Sequence, residues 1–252
     1  MSSAESTAAP SSYGATLQRL GAAQKTVKGA PAYSRFVNRP LGRRLAALSH
    51  LAGLRPNQVT GLSGLCSGVA IAAVALVRPS LLLGVLVTVL LVLGYALDAA
   101  DGQLARLQGS GSPSGEFLDH VVDAVKISSL HAAVLVSSYR FADLGTDAWL
   151  LVPLGFQVVG AVFFFGMILV EQIRRAHGVR PPSGQGSAPQ SRLKAVFVVP
   201  TDYGLLCLAF LLLGWPAGFL AAYTALFAGT AAFVLLALPK WYREISAFGA
   251  RG

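Results

Sequence analysis

Six apolar stretches of membrane-spanning length follow one another along this chain, and they leave little choice of fold. They run over residues 59–77, 81–97, 117–139, 149–170, 196–213 and 217–238. Each approaches the ~20 residues that carry an α-helix across a hydrocarbon core. In lipid every backbone N–H and C=O must find its partner inside the spanning element, which selects helices over open sheets. A soluble globule is excluded by the balance of residues: 54% of the 252 residues are hydrophobic and only 12% are charged. A disordered chain is excluded as well, because disorder needs low hydrophobicity. The expected architecture is an all-α integral membrane protein with six transmembrane helices. Cys66 and Cys207 lie in separate apolar stretches and are expected as small buried hydrophobes, not as a disulfide.

The segments around the spans carry the charge. Residues 1–40 are small, polar and basic and lack the apolar core of a signal peptide, so a flexible basic arm is expected there. Leu41, Leu45, Leu48, Leu51 and Leu54 fall at helical spacing beside Arg43, Arg44 and Arg55. Residues 41–55 are therefore expected as an amphipathic helix in the membrane interface. Residues 56–240 are then expected to hold the six transmembrane helices, and 241–252 to form a cytoplasmic tail. Residues 171–194 are rich in Pro, Gly and basic side chains and read as an exposed loop. The net charge of +9 sits next to apolar spans, which points to a membrane surface and not to nucleic acid. With both termini cytoplasmic, only Arg78 and Arg140 fall on the far side, so the positive-inside rule places both termini in the cytoplasm. Gly64 and Gly68 form a GxxxG pair in the first span, suited to close helix packing within or between protomers.

Four carboxylates break the apolar pattern where the second span ends and the third begins: Asp98, Asp101, Asp119 and Asp123. A charge in a membrane segment is expensive, about 2.5–3.5 kcal/mol on insertion scales. Asp98 and Asp101 are three residues apart and share one helix face; Asp119 and Asp123 are four apart and share another. The Gly/Ser/Pro-rich stretch 107–114 folds the two helices back on each other and brings all four acids together. Four adjacent carboxylates repel strongly at low dielectric, so a cation is expected among them. Their hard oxygens suit Mg²⁺, Mn²⁺ or Ca²⁺. Gly102, Ala105 and Gly115 leave a groove without bulky side chains, and Arg106 offers a guanidinium fork to phosphate oxygens. Together these features suit a nucleotide diphosphate held through metal.

At these residues the chain resembles the CDP-alcohol phosphotransferases. Asp98-Ala-Ala-Asp101-Gly102-Gln-Leu-Ala105-Arg106, eight residues, then Gly115-Glu-Phe-Leu-Asp119-His-Val-Val-Asp123 match the family signature DxxDGxxAR-x8-GxxxDxxxD at all fixed positions. Arg55-Pro56-Asn57 resembles the start of the family's first span more weakly. The resemblance implies that Asp98, Asp101, Asp119 and Asp123 hold two divalent ions, Mg²⁺ or Mn²⁺. It implies that Asp98, Asp101, Gly102, Ala105, Arg106 and Gly115 bind the CDP moiety, and that Asp123 is the base for the acceptor hydroxyl. It also implies a homodimer that uses a CDP-linked donor, CDP-diacylglycerol above all, and an alcohol acceptor in phospholipid biosynthesis, with an active site facing the cytoplasm. The run Ser112–His120 resembles the choline and ethanolamine phosphotransferases, in which Glu116 and His120 are candidates for activating a lipid hydroxyl.

Several residues keep two readings. His120 is either a base oriented by Glu116 or a packing residue. Lys126 either binds an anionic acceptor or offsets the acids. Arg174, Arg175, Arg192 and Lys194 either hold an acceptor phosphate or mark a positive-inside loop, and Asp202 either caps a helix or lines the acceptor cavity. Intramembrane carboxylates also serve cation or proton transporters, the distant alternative.

Overall fold

The computed structural model describes residues 12–22, 31–143, 145–179 and 199–249. Among them α1 spans Tyr13–Ala22, α2 Arg39–Leu51, α3 Pro56–Leu76, α4 Leu81–Gln108, α5 Pro113–Phe141, α6 Leu151–Ala176, α7 Tyr203–Ala209 and α8 Pro216–Gly249. A π-helical turn, Ser34–Asn38, leads into α2, and a 3₁₀ turn, Phe210–Gly214, prolongs α7. The described residues contain no strand, as the need to satisfy the backbone in lipid requires.

Local chemistry sets the boundaries. Ser80 starts α4 by accepting the Leu83 N–H at 3.2 Å, and Gly109, with φ at 62°, ends it in the left-handed conformation that glycine adopts without strain. Ser112 then accepts the Gly115 N–H at 3.1 Å and Pro113 occupies the first turn of α5. Four residues thus separate two long helices, and the predicted hairpin is observed. At 28 residues α4 is about 42 Å long, more than the ~30 Å hydrocarbon core. One unbroken helix therefore carries both the second span and the first half of the signature.

Five helices are long and apolar enough to cross a membrane. The expected span 196–213 differs. Its described part is a twelve-residue apolar helical segment, Tyr203–Gly214. Asp202 caps it by accepting the Gly204 N–H at 3.1 Å, and the same carboxylate accepts the Tyr33 N–H at 2.8 Å. The segment runs from the level of Tyr95, which Tyr203 meets edge to face, to the start of α4, where Gly214 lies against Leu81.

The N-terminal region departs from a uniformly flexible arm. In α1, Thr16 and Leu20 are buried, and Leu20 joins a core with Ala46, Val59, Leu97, Ala100 and Leu104. The α2 helix begins before residue 41. It presses Gly42, Ala46 and Ala47 inward and leaves Leu48 and Leu51 exposed. Small residues let it approach α4: a Cβ on Gly42 would stand 2.8 Å from that of Ala99. At the other end, α8 continues to Gly249, so no separate tail begins at 241.

In the GxxxG pair, Gly64 faces Val122 of α5, whereas Gly68 has no neighbour near its Cβ position. The tightest α3–α4 approach falls instead at Gly94, where a Cβ would collide with Ser67, and where the Ser63 hydroxyl donates to the Gly94 carbonyl at 2.7 Å. A larger core joins Val74, Val87, Leu91, Leu130, Phe210 and Tyr223, and a 2.6 Å hydrogen bond between His131 Nδ1 and the Tyr223 hydroxyl crosses it.

Candidate active site

The hairpin places Asp98 and Asp101 on α4 opposite Asp119 and Asp123 on α5, all lining one open cleft of about 1130 Å³. Gly102, Ala105, Arg106 and Gly115 line the same cleft. Gly115 is tight for a reason: a Cβ there would stand 3.2 Å from both Asn57 Oδ1 and Ser112 Oγ. At Gly102 the nearest atom to a Cβ would be Arg106 Nη1 at 3.5 Å, so that glycine keeps open the space before the guanidinium.

The carboxylates do not form one uniform ring. Asp98, Asp119 and Asp123 bring ligand oxygens within 4.8 Å of one another. Asp101 is buried and turns its Oδ2 to the Thr60 hydroxyl at 2.6 Å, in the range of a charge-assisted bond. Asp119 Oδ1 is buried with no hydrogen-bond partner, a costly arrangement unless a cation is bound there. Hard oxygens, mutual closeness and one orphaned acceptor together fit a divalent cation.

A cation of the protein's own already enters the cluster. Lys126 Nζ lies 2.8 Å from Asp98 Oδ1, 3.0 Å from Asp123 Oδ1 and 2.9 Å from Ser63 Oγ. Its three N–H donors are all engaged, and the side chain is buried. Without a ligand, the residue offsets the acids and spends all three donors within the protein.

At the mouth, neighbouring arginines diverge. Arg174 forms a two-pronged pair with Glu244 of α8, with both N–O distances 2.7 Å, and does not line the cleft. Arg175, about 100° around the helix, does line the cleft and bonds Glu116 and Glu171, each at 2.6 Å. Glu116 is thereby committed to Arg175, and His120 Nε2 stands 3.8 Å from it, beyond hydrogen-bonding distance. Glu116 and His120 share a helix face at that separation, and His120 also meets Phe164 edge to face. Arg192 and Lys194 lie outside the described residues.

Four contributors to the site escaped the sequence reading: Thr60, Ser63, Arg39 and Tyr95. Thr60 and Ser63 lie three apart with Ser67 one turn on, a polar stripe along an otherwise apolar span, and that stripe was the available signal. Arg39 and Tyr95 line the cleft beside Asn38 and Ser34, and Tyr95 stacks on Tyr33 with ring centres 6.4 Å apart. Neither carries a sequence mark that separates it from its neighbours.

The family model described as CDP-alcohol phosphatidyltransferase matches residues 54–239. Among solved structures, phosphatidylinositol phosphate synthase from Mycobacterium tuberculosis with CDP-DAG bound aligns with a TM-score of 0.49 and 18% identity, covering 82% of this chain and 94% of that one. No curated protein sequence matches.

Proposed function

The chain belongs to the CDP-alcohol phosphatidyltransferase family, and from that premise we propose that it transfers a phosphatidyl group from CDP-diacylglycerol to an alcohol, releasing CMP. The chain is a multi-pass integral membrane enzyme of phospholipid synthesis, a phosphotransferase that draws on a CDP-linked donor, and not a transporter. The observation that carries the finer reading is the convergence of all eight signature positions on one cleft, with three carboxylates drawn to within 4.8 Å of one another.

The residues divide the work as follows. Asp98, Asp119 and Asp123, with Asp101 behind them, would hold Mg²⁺ or Mn²⁺. Such an ion would supply positive charge to the donor diphosphate. Arg106 contributes a second positive group to phosphate oxygens. Gly102, Ala105 and Gly115 admit the cytidine where a side chain would block it. Asp123 accepts the proton of the incoming hydroxyl through the oxygen that Lys126 does not take. The hydroxyl oxygen bonds to the β-phosphorus and the bond to the CMP oxygen breaks.

The cleft faces the cytoplasm in this reading, with both termini. Arg39, Arg106 and Arg175 line the cleft, while Arg78, just after α3, and Arg140, in the last turn of α5, do not. The exposed Leu48 and Leu51 of α2 suit an interfacial position, and a homodimer completes the proposed assembly. A choline- or ethanolamine-type reaction rests on the Glu116–His120 pair and is disfavoured by the Arg175 contact.

The test is CMP release by the purified protein in lipid nanodiscs with Mg²⁺, a panel of alcohols, and either CDP-diacylglycerol or CDP-ethanolamine. Release with CDP-diacylglycerol, abolished by chelation and lost in Asp123→Asn while nucleotide binding persists, is expected. Turnover only with CDP-ethanolamine overturns the donor assignment.

A further inference from the structure

The family resemblance implies two divalent ions among these aspartates, and the chain places an ammonium group between two of them. Lys126 Nζ contacts Asp98 Oδ1 and Asp123 Oδ1, at 2.8 and 3.0 Å, and so joins α4 to α5. Its third proton goes to Ser63 Oγ at 2.9 Å. The Ser63 hydroxyl in turn donates to the Gly94 carbonyl at 2.7 Å, which leaves its lone pair aimed at the ammonium. Every donor and acceptor in this chain of contacts is matched, and Lys126 is only 6% exposed. A divalent ion bridging the same two oxygens would need the same space and would meet a like charge at contact distance in a poorly screened setting. Asp119, whose ligand oxygen lies within 4.8 Å of those of Asp98 and Asp123, has a buried Oδ1 with no hydrogen-bond partner.

We infer that in the free protein Lys126 takes the place of one of the two divalent ions, so that each site holds a single ion on the Asp119 side of the cluster. This rests on the divalent-cation reading given above. It makes Lys126 a positioning residue, one that fixes Asp98 and Asp123 across the α4–α5 gap without touching substrate.

The experiment counts bound Mn²⁺ by the electron paramagnetic resonance of the free ion, using the full chain in nanodiscs without nucleotide. Wild type is expected to bind one equivalent per chain. Lys126→Met, which keeps the length of the stem and removes the charge, is expected to bind two. Two equivalents in wild type, or one in both proteins, overturns the inference. The wild-type count needs no variant, so the test survives if the Met protein fails to fold. No bound Mn²⁺ in wild type overturns the divalent-cation reading and this inference with it. One equivalent in wild type and two in the variant, without CMP release, leaves the inference standing and overturns the proposed activity.

Discussion

Replacing Thr60 by Val tests whether the first span helps build the site. Thr60 is 3% exposed and Asp101 6%, so little water reaches the bond between them. The single hydroxyl proton goes to Asp101 Oδ2 at 2.6 Å; the Pro56 carbonyl at 3.2 Å is the weaker alternative. Valine keeps the shape and removes only this donor. A hydrogen bond to a charged group contributes about 1.5–3 kcal/mol, and leaving its buried partner unsatisfied costs a similar amount. Taking about 2 kcal/mol, and supposing that Asp101 must stay oriented for the donor to bind productively, kcat/KM falls roughly 30-fold. The assay is the initial rate of CMP release at varied donor and Mg²⁺ concentrations. The apparent Mg²⁺ requirement should rise along with the loss of kcat/KM. Thr60→Ser, which restores the hydroxyl, should return to within about threefold of wild type. A Val variant within about threefold of wild type would refute the reasoning, because the bond would then be irrelevant to the site. A Ser variant as slow as Val would refute it differently, by showing that the methyl group, and not the hydroxyl, is what matters.

Two further outcomes follow from the geometry. His120→Ala should slow CMP release by less than about threefold, whereas removing a general base costs roughly 10²–10⁴-fold; a loss of that size would return His120 to the chemistry despite its 3.8 Å separation from Glu116. Arg174→Ala should lower the thermal midpoint by a few degrees or less, since a partly exposed pair contributes about 1 kcal/mol at most, and should leave the KM of the acceptor unchanged. A large rise in acceptor KM would place Arg174 at the acceptor after all.

Spacing within one helix is legible in a sequence because an α-helix has a fixed period. That period set Asp98 beside Asp101 and Asp119 beside Asp123, and the turn residues Gly109, Ser112 and Pro113 marked where the chain folds back. The scarcity of charge in the apolar stretches fixed helices in a membrane as the only way to satisfy the backbone. These features were enough to draw the signature residues into one cleft on paper.

Which helix faces which, and at what rotation, is decided by packing between segments far apart in the chain. Thr60 lies 41 residues from the carboxylate it serves, and Lys126 lies 63 residues from Ser63. Arg174 and Arg175 are neighbours in sequence, yet one helical step sends the first to Glu244 and the second to Glu116. The cap of α7 is of the same kind, because the Asp202 carboxylate also meets a backbone N–H 169 residues away. The order of residues therefore determined the elements and the set of acids. Only the assembled bundle decided the partner of each charged group, because a helix's own period fixes the angle between its side chains and says nothing of the surface they meet.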